Sequence, residues 1–318
     1  MNPLPFVVSL ASARLCRGNV AKRVKIAPSI DVYGLHIAGT QVTDLNCDDL
    51  SGIAGVTVAA GGVFKYDPAT KTLTMKDVTV TAGDDKNAIW NEGVEGLKIV
   101  VSGTNRLEAT NWSSLSCLAS TEIKGSGSLT TTSSSGAGVY LAVAKTLTIS
   151  DITLETSGAW GITGLFGNGN ETLILKNANV TATGTTAGIA CLASFTTEEC
   201  EIVVPAGGKF EETKHAVVDA GGNKAKTVKI ERIIELHIAG TQVTDANCND
   251  LSGIEGVTVA AGGEFKYDPA TKTLTMEDVT VSVGDGINAI GNEGVEGLKI
   301  VVSGTNRLEA TDKSALAC

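Results

Sequence analysis

Aromatic side chains make up only 4% of the 318 residues, histidine occurs 3 times and proline 6. So few large rings do not fill a wide globular centre. The Gly, Thr, Ser, Ala and Val that dominate suit thin, repetitive β-structure. Basic residues are outnumbered, 25 against 35 acidic, for a net charge of −10. Nucleic acid and anionic membranes repel an acidic surface, so neither is expected as a partner. No apolar run approaches the roughly 18 residues that carry a helix across a bilayer, and no membrane insertion of that kind is expected. The seven cysteines (Cys16, Cys47, Cys117, Cys191, Cys200, Cys248, Cys318) never form the close CxxC pairs of zinc sites, so isolated, buried thiols are expected. The opening MNPLPFVVSLASARL has a short apolar stretch and an Ala11-Ser12-Ala13 that resembles a cleavage site, but it lacks a positive n-region.

What is present is repetition at two scales. Residues 35–117 and 236–318 align at a constant offset of 201, with 69 identities over 83 positions. They are two copies of one domain. A fainter echo links GNVAKRVKI (18–26) to GNKAKTVKI (222–230). The expected layout is therefore the tail of a preceding copy plus a connector over 1–31, a complete unit over 32–233, and the cap and first coils of a second copy over 234–318, with the C-terminus a fragment boundary. Short connectors such as APSID and ERI favour a semi-rigid rod.

Within the complete unit, TLTMKDVTVTA, LKIVVSGTNRLEAT, EIKGSGSLTTTS, TLTISDITLETS and TLILKNANVTAT share an alternating strand, a polar corner and a second strand. Taking the last inward apolar residue before the corner as marker gives Met75, Val101, Ile123, Ile149 and Leu175, at spacings of 26, 22, 26 and 26. That period is a solenoid coil. The three-residue step from Met75 to Val78 places Lys76 and Asp77 at an outward corner, and Gly103 and Gly125 supply the longer ones. A third strand follows around Ile89, Leu115, Val139, Ile162 and Ile189. The fold expected is all-β, a parallel β-helix solenoid with three sides and, by the usual preference, a right-handed coil, in tandem copies. Val, Ile and Leu form internal ladders, and Thr and Ser face outward. FKYDPATKTLTM reads as a hairpin turning at Pro68 that, with LHIAGTQVT, covers the N-terminal edge. Cys117 and Cys191, three coils apart at roughly 14 Å, are too distant for a disulfide and are expected reduced and buried.

No catalytic constellation emerges. Asp84-Asp85 is the first carboxylate pair to test, but the second copy has Gly286 for Asp85. Asp44, Asp48 and Asp49 offer oxygen ligands suited to calcium, yet the spacing fits no EF-hand and the copy reads Asp245, Asn249, Asp250. His36 and His237 are one position in two copies and read as ordinary strand residues. Neither a GxSxG elbow nor a phosphate loop is present. Trp90 and Tyr140 each follow an inward third-strand residue and so face outward, two coils or roughly 9–10 Å apart, a separation that suits stacking along a glycan. Trp112 and Trp160 are further candidates; the copy has Gly291 for Trp90 and Lys313 for Trp112.

The phrases LHIAGTQVT, KYDPATKTLTM, GLKIVVSGTNRLEAT and SGAWGITG, over residues 35–230 and 236–318, resemble repetitive secreted or surface proteins of anaerobic gut and oral bacteria, similar to the carbohydrate-binding β-helix family. The resemblance implies an extracellular or cell-surface location, a polysaccharide or host glycoprotein as partner, and calcium as a cofactor by analogy alone. The function expected is a non-catalytic binding or adhesion module. A structural stalk, and a polysaccharide lyase or glycoside hydrolase, are the alternatives.

Overall fold

The computed structural model describes residues 29–165 and 169–318. The echo at 18–26, Cys16 and Ala11-Ser12-Ala13 lie outside the described residues. Among the described residues strand accounts for 57% and helix for 1%, and the strands stack as the parallel coils of a β-solenoid.

One strand shows why the chain coils. In Thr72–Thr81, Leu73 and Met75 are buried, and so are Val78 and Val80. Strict alternation would put one pair outside. The left-handed backbone at Asp77 (φ 54°) absorbs the odd residue and turns the corner. Asp151 (φ 58°) and Asn177 (φ 44°) repeat the device, and Gly103 and Gly125 occupy the same corner in the two coils between. Asp, Asn and Gly are the residues that tolerate this conformation most readily. The Asp77 carboxylate also accepts a bond from the Thr104 amide at 2.9 Å, tying one corner to the next.

The first face stacks Thr72–Lys76 on Leu97–Ser102, Thr121–Gly125, Thr146–Ser150, Thr172–Lys176 and Ser194–Glu198, all parallel. The second face stacks Thr104–Ala109 and Ser128–Ser133 with the first halves of Thr153–Thr163 and Asn179–Ala190. The third stacks Ile89–Asn91, Leu115–Cys117 and Ala137–Leu141 with the second halves of those long strands. The third-face ladder is Ile89, Leu115, Val139, Ile162 and Ile189, as the sequence predicts, and every member is fully buried.

The first-face ladder differs from expectation. Ile123 pairs with Ile99, and Val101 pairs with Gly125, so the true ladder is Leu73, Ile99, Ile123, Ile149, Leu175. A two-residue slip leaves every side chain on its own face, which is why the pattern concealed it. Gly125 sits opposite Val101 because nothing larger fits: a Cβ there would lie 2.0 Å from the Val101 carbonyl oxygen. The outward placement of Thr and Ser also needs correction. Thr131 and Thr156 point inward and share a hydroxyl–hydroxyl bond of 2.9 Å.

Antiparallel strands close the ends of this stack. Val56–Asp67 runs back along Thr72–Thr81 through the Pro68 turn, and Val32–Ile37 lies antiparallel on Ile89–Asn91, so the expected edge cover is present. At the other end Thr227–Arg232 pairs antiparallel with Asn179–Ala190 and with Cys200–Val204. A second core begins at Ile234 and repeats the opening cap, with Val257–Asp268 on Thr273–Val283. Arg232 Nε sits 3.0 Å from Asp245 Oδ2 between the two cores, and Asn179 Nδ2 donates to the same carboxylate.

Asn105 occupies an inward position with no exposure; it accepts from the Val78 amide at 3.0 Å and donates to the Ser102 carbonyl at 2.8 Å. Asn105→Leu keeps the volume but orphans that amide and carbonyl. It is expected to destabilise by about 2–3 kcal/mol, read as a lower urea midpoint.

Candidate functional site

The residue after each third-strand ladder position faces outward, and the register aligns Trp90, Ser116, Tyr140 and Thr163 in one column. A second column, two residues before the ladder, aligns Ala137 with Trp160. Trp112 projects from the corner before Leu115 and is 47% exposed. A groove of about 460 Å³ opens among these residues, and all four predicted aromatics, Trp90, Trp112, Tyr140 and Trp160, line it. Small residues between the rings leave the depression: Ser113, Ser116, Gly136 and Ala137.

Two of the rings, Trp90 and Trp160, are held by neighbours. Trp90 stacks on His36 of the cap strand, ring centres 4.7 Å apart at 24°. His36 Nδ1 lies 3.7 Å from Glu92 and makes no hydrogen bond. Trp160 packs on Ala187, Ala190 and Ala216. The Trp112 carbonyl accepts from Ser133 Oγ at 2.7 Å, and that oxygen accepts from the Gly136 amide at 2.8 Å, which fixes the corner. A Cβ on Gly136 would lie 2.5 Å from the Trp112 carbonyl carbon. Burial, and then the Glu171 carboxylate, push the Tyr140 phenol above its ordinary pKa of 10.0, so it remains a donor at all working pH values. Glu171 is itself fully buried, accepting from the Leu165 and Gly169 amides at 3.3 and 3.1 Å.

The polar lining was not anticipated. Asn87, Asn111, Ser116 and Thr163 join the rings, although the rule that selects Trp90 and Tyr140 also selects Ser116 and Thr163. Asn87 Nδ2 donates to the Ser113 carbonyl at 2.5 Å. Asn111 and Asp85 bond reciprocally, at 2.8 and 3.0 Å. Among the described residues no charged side chain lines the groove.

The calcium candidates do not converge. Asp44, Asp48 and Asp49 are exposed, and Asp49 is engaged by Ser51, whose amide donates at 2.9 Å and whose bonding holds the carboxyl below its usual range. Among the described residues no three His, Cys, Asp or Glu side chains gather as a metal site. Asp84 and Asp85 are exposed, and Asp85 bonds the groove-lining Asn111.

Cys117 pairs with Leu141 on the third face, Cys191 follows the strand Asn179–Ala190, and both are free thiols. Cys191 departs from the expected burial: its backbone turns left-handed at φ 57° and it lies half-buried on the groove wall. Burial pushes the Cys117 thiol from 9.0 to about 12. Because the unfolded thiol ionises first, this group's contribution to stability is full below pH 9 and is lost as pH rises toward 12. Iodoacetamide at pH 8 is expected to label exposed Cys318 and spare Cys117 until denaturant is added, read by peptide mass mapping.

No protein-family model, curated protein or solved structure matches the chain. No described helix is long and apolar enough to cross a membrane. Fold and groove together define a class: a three-sided β-solenoid with an aromatic-lined groove along one face.

Proposed function

We propose that this chain is a non-catalytic extracellular module that binds glycans or glycoproteins at the bacterial surface. The observation that carries the reading is the convergence of Trp90, Trp112, Tyr140 and Trp160 on one groove among amides and hydroxyls. Indole and phenol rings stack on the apolar faces of pyranoses, while the amides and hydroxyls match sugar hydroxyls. Among the described residues the lining holds no carboxylate, imidazole or ammonium, and its titratable groups are the Tyr140 phenol, pushed above its ordinary pKa, and the Cys191 thiol. A site without a carboxylate pair favours this reading over a lyase or hydrolase. Repetition of the domain places several such faces along one chain. A glycan array tests it: wild type gives signal on a defined group of sugars, and Trp90→Ala loses it. Equal signal from both proteins, or none from wild type, sinks the reading.

The stalk alternative draws support from the Arg232–Asp245 ion pair between the two cores, where the Arg232 side chain is only 11% exposed. A rod and a binding face are compatible in one molecule.

A further inference from the structure

The chain holds its own comparison. Six groove-lining positions fall within the duplicated span, and four of them differ between the copies: Trp90 and Gly291, Asn111 and Asp312, Trp112 and Lys313, Ser116 and Ala317. Only ten of the other 77 positions differ. Tolerance of exposed sites does not explain this concentration. Thr57, Lys65, Glu92, Lys98 and Arg106 are exposed and identical in both copies.

The replacements are mutually consistent. Asn111 exchanges bonds with Asp85, and an aspartate there would face a second carboxylate; the copy that has Asp312 also has Gly286 in place of Asp85, and keeps the backbone bond from Gly286 N to Asp312 at 2.6 Å. Strand register is preserved: His237 opposes Gly291 as His36 opposes Trp90, and Ile290 opposes Leu316 as Ile89 opposes Leu115. Without the indole, the His237 side chain is 27% exposed against 13% for His36. Over these six positions one backbone therefore carries two different sets of side chains.

We infer that the groove is the specificity-determining surface of the repeat and that its copies are tuned to different ligands, the first taking an uncharged glycan chain and the second not. This rests on the glycan-binding reading above. In the first copy a uronate carboxylate would be desolvated against rings and amides with no cation among the described lining residues to pair it, a cost a neutral hexose does not meet. The buried Glu171 behind Tyr140 and the net charge of −10 oppose an anion further. In the second copy the stacking surface of two indoles is gone, and an ammonium and a carboxylate stand at Lys313 and Asp312.

The experiment exchanges residues between copies in the full chain. One variant carries D85G, W90G, N111D, W112K and S116A; a control carries differences remote from the groove, L45A, D48N, A54E and K76E. Both sets already occur on this backbone, and thermal unfolding checks that each variant folds; W90G with W112K alone serves if the larger set does not. Affinity gel electrophoresis uses β-glucan, mannan, xylan and polygalacturonate. Wild type is expected to be retarded by at least one neutral polymer and not by polygalacturonate, the groove set to lose that retardation at least tenfold, and the control to keep it. Preference for polygalacturonate, or loss in the control, overturns the inference and leaves glycan binding standing, whereas an unchanged groove variant removes both. Retardation of wild type by none of the polymers removes both.

Discussion

Backbone amides in residues 298–318 are expected to exchange with solvent at least about a hundredfold faster than those in 97–117, although the two stretches are nearly identical in sequence. In the first copy Val101 and Leu115 are fully buried; their counterparts Val302 and Leu316 are 63% and 45% exposed, and Val301 is 52% exposed. The cause is stacking. Leu97–Ser102 lies between Thr72–Thr81 and Thr121–Gly125, whereas Lys299–Ser303 pairs on one side only, with Thr273–Val283. Burying each such aliphatic side chain is worth roughly 1.5–3 kcal/mol, so several missing burials lower the opening free energy by more than the ~2.7 kcal/mol that a hundredfold requires. In a solenoid each coil owes its stability to its neighbours, and the uncovered coil is the first to open. Mass-resolved hydrogen exchange reads this directly; equal protection in the two stretches would contradict it.

How much of this was legible in the residues follows from the same physics. The third-face ladder could be read position by position because each turn contributes one large aliphatic anchor to it, Ile89 through Ile189. The first-face ladder slipped at Val101 because its corner residues vary: Asp77, Asp151 and Asn177 turn in one left-handed step, while Gly103 and Gly125 do so within longer corners. Period 2 fixes the face but not the partner. Inward Asn105, Thr131 and Thr156 escaped for a different reason. Polarity suggests an outward side chain, yet each finds hydrogen-bond partners inside. At the groove, ring direction followed from alternation, but the convergence of Trp112 and Trp160 with Trp90 and Tyr140 depended on corner geometry that spacing does not encode.

That convergence leads to the second large effect. Trp112→Ala is expected to weaken glycan binding by about 2 kcal/mol, roughly 30-fold, and to leave the unfolding midpoint nearly unchanged. Trp112 is 47% exposed, so its apolar area becomes buried chiefly when ligand arrives, and its loss registers in binding rather than folding. Trp160 provides the contrast. It packs on Ala187, Ala190 and Ala216, so Trp160→Ala removes contacts already made in the free protein and lowers both affinity and stability. Tyr140→Phe separates the remaining contributions, because it keeps the ring and deletes only the hydroxyl; about 1 kcal/mol of affinity is expected to go with it. Calorimetric titration beside thermal unfolding distinguishes the three. Were Trp112→Ala to destabilise the fold as much as Trp160→Ala, the exposed indole would be a structural prop, and the groove would lose the ring that most needs a ligand to explain it.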